Sequence, residues 1–437
     1  MKVLIFFELV LFFVLVSSKI PNGCIPTVRE ITGLSITCYN ANFYNVMEHF
    51  RNQELYIVEF DGCNPSIGRL KRIPNVTFYR FEIKNCGIEK IDDDAFADVY
   101  ETIGMLDLRY NSITNFPNLS HWPVLNSVYL SHNKITKIPA NSLPKTRWFT
   151  YFHIENNRLT EITPFTFAGV NLRMLALSCN NITYVAPETF QMESLKFLFL
   201  SYNNITSLPK GIFDFCPNLL ISYLDHNKLS ELPPDIFKFT RKLLKLDLSY
   251  NNFHKLDTKL IWSLTDLTLL NLEHNYLKKL PKELLYTAIS LRSFNAANNN
   301  LECIDYDFFK NTFNIYMVVL NNNKLTELPA EVFRSLFKIE LIDLKNNSLV
   351  TLTSNVFTAT SPIDNPKELS PGSMIDNNYR ILLHGNPIHC DKNIEWLIPH
   401  IDELYDRYDI PYETVSTTSS CVTPEKFAGI PINKIKF

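Results

Sequence analysis

The side chains best equipped for chemistry in this chain are its nine cysteines, its ten histidines and the asparagines of five N-x-S/T triplets. A hydrolase or phosphoryl-transfer enzyme would set such residues in a recognisable frame. No G-x-S-x-G turn, H-E-x-x-H helix or glycine-rich phosphate loop occurs, and only 11 glycines are spread over 437 residues. His132 with His153 invites a metal reading, but neither has a cysteine or carboxylate at ligand spacing. No metal, cofactor or enzymatic activity is therefore expected. His226 and His274 could answer to pH near 6, where imidazole titrates. The triplets at Asn75, Asn118, Asn181, Asn204 and Asn346 are candidate glycan acceptors if the chain enters the secretory pathway.

The first residues point that way. Lys2 precedes an apolar run from Val3 to Val16, broken only by Glu8, and Val16-Ser17-Ser18 offers small residues for cleavage. Residues 1–18 read as a signal peptide, since the run is shorter than the ~20 residues of a spanning helix. No second apolar stretch follows, and Ile432 to Phe437 lacks a lipid-anchor tail. The mature chain is expected to be secreted and extracellular. With 42 basic and 45 acidic residues there is no overall field for nucleic acid or an anionic membrane. An odd number of cysteines in an oxidising compartment leaves at least one thiol unpaired within the chain.

What positions these residues is an internal repeat. In Leu195-Lys-Phe-Leu198-Phe-Leu200-Ser-Tyr-Asn203-Asn-Ile205, aliphatic residues hold positions one, four, six and eleven, and asparagine holds position nine. The ninth positions run Cys63, Cys86, Asn111, Asn133, Asn157, Asn180, Asn203, Asn227, Asn251, Asn275, Asn299, Asn323, Asn347 and Asn386, which makes fourteen repeats. From Asn203 to Asn347 every step is 24 residues. Positions four and six alternate inward on a short strand, and identical strands stack in parallel. The ninth-position amide has donors and acceptors enough to satisfy turn groups that would otherwise be buried unpaired.

Leu-Pro pairs such as Leu208-Pro209 and Leu280-Pro281 end the extended segment and suit a non-sheet outer wall. Ten residues past the ninth position comes a phenylalanine spine: Phe96, Phe167, Phe190, Phe213, Phe237, Phe309, Phe333 and Phe357. The final step is 39 residues, 15 beyond the period. The excess falls within 358–378, where Ser361-Pro362, Asn365-Pro366 and Ser370-Pro371-Gly372 predict a protruding loop.

The motif resembles the extracellular leucine-rich-repeat family with typical 24-residue repeats, which includes Toll and Slit ectodomains and chondroadherin-like secreted proteins. The resemblance spans Leu55 through Ile388 and extends into both ends. It implies an α/β horseshoe: a right-handed solenoid with a parallel concave sheet and a mostly irregular or short-helical convex side. The expected organisation is a signal peptide at 1–18, an N-terminal cap at 19–54, the solenoid at 55–389 and a C-terminal cap at 390–437.

Secreted members of the family close their ends with disulfide caps. Asn386-Pro387-Ile388-His389-Cys390, Trp396-Leu397 and Cys421-Val-Thr-Pro424 resemble the C-terminal cap. The family's cap usually has four cysteines, paired first with third and second with fourth. Lys392 stands where the second would be and no fourth is evident, so the resemblance leaves one pair, Cys390 with Cys421. At the front, Cys24 and Cys38 flank an expected hairpin and form the expected cap bridge. The four-cysteine cluster of the matrix proteoglycans is missing. Cys63 and Cys86 share a rung on adjacent repeats, ~4.8 Å apart, so a disulfide and two inward thiols both stay open. Cys216 falls at a buried convex position. Cys179 and Cys303 fall at exposed positions, either as surface thiols or as links to a partner.

Residues three, five, seven and eight of each repeat are expected to line the concave face. Early repeats place acids at position five: Glu59, Glu82 and Asp107. Middle repeats turn aromatic or apolar, with Tyr129, Tyr151, His153, Phe197, Phe199, Tyr202, Ile221 and Tyr223, and with Met174 and Ala176 between them. Later repeats return to Lys245, Asp247, Asn271, Asn295, Asn298 and Asn322. Exposed contiguous aromatics are costly unless a partner covers them, which marks the centre as the partner-binding patch. An eighth-position stripe of Tyr110, His132, Tyr202, His226, Tyr250 and His274 runs alongside.

The expected function is a secreted non-enzymatic scaffold, as a matrix or adhesion protein or a soluble recognition receptor, binding an extracellular protein ligand. The alternative is a non-catalytic carrier subunit of a secreted enzyme. Neither nucleic acid nor a membrane span is expected, and pairing of two copies into a homodimer stays open.

Overall fold

A computed structural model describes residues 20–29, 33–356, 380–400 and 419–436. The expected signal peptide, Phe357 and the 358–378 excess lie outside them. The chain forms two compact units, Met1–Asn204 and Ile205–Phe437. No helix among the described residues is long and apolar enough to cross a membrane.

The first unit opens on an antiparallel hairpin, Cys24–Arg29 with Gly33–Ala41. Cys24 lies opposite Cys38 and is disulfide-bonded to it. The helix Phe43–His49 follows, capped by the Asn42 side chain, which accepts from the Asn45 N–H at 3.0 Å. Seven parallel strands then stack in register: Ile57–Cys63, Arg80–Lys84, Met105–Asp107, Ser127–Tyr129, Tyr151–His153, Met174–Ala176 and Phe197–Phe199.

Most of these strands hold only three residues, and the middle one is position four of the repeat. Val128, Phe152, Leu175 and Leu198 there are 0 % exposed, as are Leu130, Ile154, Leu177 and Leu200 at position six. The period of two thus places the core on one side of the sheet. On the opposite wall two short parallel pairs occur, Gly68–Leu70 with Ile88–Ile91 and Glu161–Ile162 with Tyr184–Val185. The rest is turns.

The second unit repeats the scheme with strands Ile221–Tyr223, Lys245–Asp247, Leu269–Asn271, Ser293–Asn295, Met317–Val319, Leu341–Asp343 and Arg380–Leu382. Its spine is continuous: Phe213 stacks on Phe237 at 5.7 Å, and Phe309 meets Phe333 at 5.8 Å. Where the sequence lacks the phenylalanine, Ile261 and Leu285 fill the same position, both buried. Past the last of these strands Cys390 is disulfide-bonded to Cys421, and Trp396 Nε1 donates to the Leu352 carbonyl at 3.1 Å.

The ninth-position asparagines form a ladder with one bonding scheme. Asn251 Nδ2 donates to Leu248 O and Ser249 O of its own turn and to Leu224 O one repeat earlier, at 3.2, 3.0 and 3.0 Å. Its Oδ1 accepts from the Leu229 N–H at 2.9 Å. The amide therefore closes its own turn and also ties it to the preceding coil. The two ninth-position cysteines are joined as Cys63–Cys86, with Cα atoms 4.6 Å apart. Of the two readings left open for this rung, the disulfide is the one formed.

Immediately before the ladder the backbone turns left-handed. Every eighth-position residue from Tyr110 to Asn346 has φ between +49° and +59°. Asparagine and histidine are enriched in that region and fill it at Asn156, Asn298, Asn322, Asn346, His132, His226 and His274, whereas tyrosine pays about 1–2 kcal/mol there. The aromatic ones stack instead: Tyr110 on His132 at 4.4 Å, and Tyr250 between His226 and His274 at 4.0 and 4.1 Å.

Candidate functional site

Strand register decides which of the predicted binding residues share a surface. In the first unit, Ser127, Tyr151, Met174 and Phe197 form one row across the sheet, and Tyr129, His153, Ala176 and Phe199 form the next. Tyr202 sits just past the strand end in the left-handed turn. Ile221 and Tyr223 lie on the first strand of the second unit. There, burial and the carboxylates of Asp247 and Asp225 push the Tyr223 phenol up.

The expectation of fully exposed rings is corrected by this geometry. Tyr129, Tyr151, His153, Phe197, Phe199, Ile221 and Tyr223 are half-buried, and only Tyr202, at 53 %, is open. Parallel strands bring side chains of equal register close enough to cover one another's faces. Tyr129 stacks on His153 at 4.8 Å, and the Arg109 guanidinium lies 5.2 Å from the Tyr129 centroid. His153 Nδ1 lies 3.3 Å from Glu155 Oε1, and Ser131 donates to the same carboxylate. Burial pushes the Glu155 carboxyl up, but the bonds from His153 and Ser131 outweigh it and hold the group below its ordinary value.

Position five carries a structural motif that the sequence reading took for plain surface. The side chains of Asp107, Asp247, Asn271, Asn295 and Asp343 each accept from the backbone N–H two residues on, at 2.9–3.1 Å. These are Asx turns that satisfy the strand exit. Tyr129, His153 and Phe199 occupy this same position and cannot make the turn. The aromatic segment thus lacks the turn that Asp107 makes before it and Asp247, Asn271, Asn295 and Asp343 make after it, a turn that Glu59, Glu82 and Val319 at the same position do not make either, and such departures are where function is expected to show.

The early acids are also corrected. Glu82 and Asp107 are buried, at 1 % and 0 % exposed, because neighbouring cations fold over them. Lys84 Nζ lies 2.8 Å from Glu82 and 2.7 Å from Glu59, Arg80 pairs with Glu82, and Arg109 pairs with Asp107 at 2.6 Å. Burial pushes the Glu82 carboxyl up, but hydrogen bonds and charge from Lys84 and Arg80 more than offset it, leaving the group below its usual range. A depressed acid stabilises the fold above its unfolded value near 4.3, and that contribution is lost as pH falls through the folded value. Lys84→Ala is expected to cost about 2 kcal/mol at pH 7 by stripping a buried carboxylate of one partner. The deficit should shrink below about pH 4 as the carboxylate protonates, as read from urea midpoints at both pH values.

In the second unit the polar wall is internally satisfied. Asn271 Nδ2 donates to Asp247 Oδ2 at 3.0 Å, and Asn295 and Asn298 donate to the two Glu273 oxygens at 2.9 and 3.1 Å. Lys245 is exposed, and Asn322 Oδ1 accepts from Asn346 Nδ2 at 2.7 Å. The sequence reading missed that Leu269, Met317 and Leu341 share the Lys245 row and are half-buried. Their position in the frame was available as a signal.

Among the triplets, Asn75, Asn118 and Asn181 are exposed and Asn204 is half-buried. Asn346 is exposed too, its Nδ2 donating to Asn322 Oδ1 as Asn75 Nδ2 does to Asn52 Oδ1, and a Cβ added at Gly385, whose φ is +76°, would stand 2.0 Å from Asn346 Oδ1. Cys216 is buried, Cys179 half-buried and Cys303 exposed. Among the described residues no group of three or more His, Cys, Asp or Glu side chains is placed to hold a metal ion.

Known structures with this arrangement are numerous. The Toll chain of the Toll–Spatzle complex from Drosophila superposes with a TM-score of 0.61 at 21 % identity, covering 84 % of this chain and 52 % of that one. This chain therefore spans about half the length of Toll. A leucine-rich-repeat protein of Leptospira interrogans gives 0.60 at 22 %, covering 82 % and 90 %. A chain of the octameric complex of Latrophilin 3, Unc5D and FLRT2 gives 0.56 at 22 %, covering 77 % and 90 %. At such identities the likeness shows the fold.

No curated protein sequence matches the chain. The family model described as leucine rich repeat matches residues 148–205, 170–221 and 223–277. That described as BspA type leucine rich repeat region (6 copies) matches 258–377. With these matches reaching over half of its residues, and the asparagine ladder running on beyond both their limits, the chain belongs to the leucine-rich-repeat family.

Proposed function

We propose that this protein is an extracellular, non-enzymatic scaffold that binds a protein partner on the outward face of its sheet, centred in the first unit on Tyr129, Tyr151, His153, Phe197, Phe199 and Tyr202. The observation that carries the reading is the exchange at position five, where aromatic side chains replace the Asx-turn residues of neighbouring repeats. Stacking shelters the Tyr129 and His153 faces, and Tyr129, Tyr151, His153, Phe197 and Phe199 all remain partly exposed along the wall. Such amphipathic, pre-ordered rings are the usual anchors of protein interfaces. Two structural neighbours were solved in complexes with protein partners, Toll with Spatzle and FLRT2 with Latrophilin 3 and Unc5D, which supports the same kind of use. Three disulfides among the described residues support an oxidising compartment. Asn75, Asn118, Asn181, Asn204 and Asn346 are the proposed glycan acceptors, Asn204 being the least exposed of them.

The test is Tyr151→Ala combined with Phe197→Ala, scored against the partner recovered by cross-linking in the native secretion. Affinity is expected to fall at least about 100-fold, as two anchor residues would require, while the variant still melts cooperatively. A variant that binds as the parent does would sink the reading. One that fails to fold would move both rings into the core.

A further inference from the structure

The aromatic wall of the first unit has a basic border at one end of its strands. The residues just before the strands Tyr151–His153, Met174–Ala176 and Phe197–Phe199 are Thr150, Arg173 and Lys196. They are aligned by the sheet's own hydrogen bonds, with Arg173 N donating to Thr150 O at 2.8 Å and Lys196 N to Arg173 O at 2.9 Å. Arg173 and Lys196 therefore stand side by side on adjacent rungs, both exposed. Arg147 joins them from the same end of the strands, its guanidinium 4.5 Å from the ring of Trp148, which is 51 % exposed.

Like charges directly opposite on neighbouring strands are unfavourable, and proteins usually interleave a carboxylate. Here none does. Among the described residues Arg147, Arg173 and Lys196 make no ion pair, whereas Arg80, Lys84 and Arg109 in the preceding repeats each hold an acid. At the other end of the strands the sign reverses: Glu155 carries a carboxylate held below its ordinary pKa.

We propose that this wall binds an extended polypeptide segment that is acidic along one edge and apolar along its middle. Its carboxylates pair with Arg147, Arg173 and Lys196, and its apolar side chains cover Tyr151, Met174 and Phe197. This rests on the protein-binding reading above and adds the chemistry of the partner. A nucleic-acid strand fits less well, because it would bring evenly spaced negative charge across the whole wall, including the Glu155 side. A peptide can restrict its charge to one edge.

The probe is a displayed library of random peptides selected on the intact, immobilised chain. Enriched sequences are expected to combine acidic with aromatic or aliphatic residues. Arg173→Glu with Lys196→Glu should weaken their binding about tenfold or more at low salt and less at high salt, as screened surface charges do. Arg173→Gln with Lys196→Gln should fall between, and both variants should melt like the parent because the positions are exposed. Enriched peptides without an acidic bias, or binding indifferent to charge reversal yet lost in Tyr151→Ala/Phe197→Ala, would overturn this inference and leave the protein-binding reading standing. Enrichment indifferent to both sets of variants, or none at all, would overturn both. Displacement of the peptides by a randomised single-stranded RNA pool with higher affinity would overturn the polypeptide assignment.

Discussion

Asn251→Ala is expected to lower stability by about 4 kcal/mol, because it leaves a buried N–H and several carbonyls without the partner that now serves them all. The groups are the Leu229 N–H and the carbonyls of Leu224, Leu248 and Ser249. Asn251 is 3 % exposed, so water cannot easily take over. Asn251→Asp should be at least as damaging, since it keeps the acceptor but turns an anionic oxygen on the carbonyls in place of the donor. The effect should begin locally, since each coil of a stack is stabilised mainly by its neighbours. Denaturant midpoints give the magnitude, and faster hydrogen exchange at Leu229 than at Leu301 would give the location. A loss under about 1 kcal/mol would mean the ladder is dispensable at that rung.

The second large effect is at the Cys390–Cys421 bridge. Cys390→Ser with Cys421→Ser removes a bridge between residues 31 apart, which is worth about 3–4 kcal/mol in the chain-entropy model. The bridge also holds the Cys390 N–H to Thr423 O at 2.6 Å and the Val422 N–H to Ile388 O at 2.9 Å. Ile394, Leu397 and Ile432, near these residues in the chain, are all fully buried. Without the bridge the apolar end of the stack is open to water, so the variant should melt earlier and also self-associate. Light scattering during a thermal scan reports both. An unchanged melting temperature would show that this end is held by packing alone.

Much of the fold was legible because repetition amplifies weak signals. One leucine says little, but the same leucine at 24-residue steps fixes the strand, its inward face and the ladder together. The ring positions followed from the same frame. Their exposure did not, because the frame gives a side chain's direction and not what its neighbours do above it. Glu82 and Asp107 point outward from the strand and are buried all the same, under Arg80, Lys84 and Arg109. The Asx turns at position five were equally hidden. An aspartate there looks like surface charge until its bond two residues on is seen, and only then do Tyr129, His153 and Phe199 stand out as departures. The Cys63–Cys86 bridge was undecided for a plainer reason: adjacent rungs permit a bond without compelling one.

The ladder also bears on how such a chain can diversify. Asn386 follows Asn347 by 39 residues, yet its Oδ1 accepts from the Leu349 N–H at 3.0 Å and its Nδ2 donates to Leu344 O at 2.8 Å, as any other rung would. Pitch is thus set by side-chain amides clasping successive turns and is uncoupled from how much polypeptide intervenes between them. A segment of foreign sequence could be grafted into that return without shifting a single strand out of alignment. Lineages carrying this architecture would then be free to experiment with whole insertions, and not only with point changes on the wall.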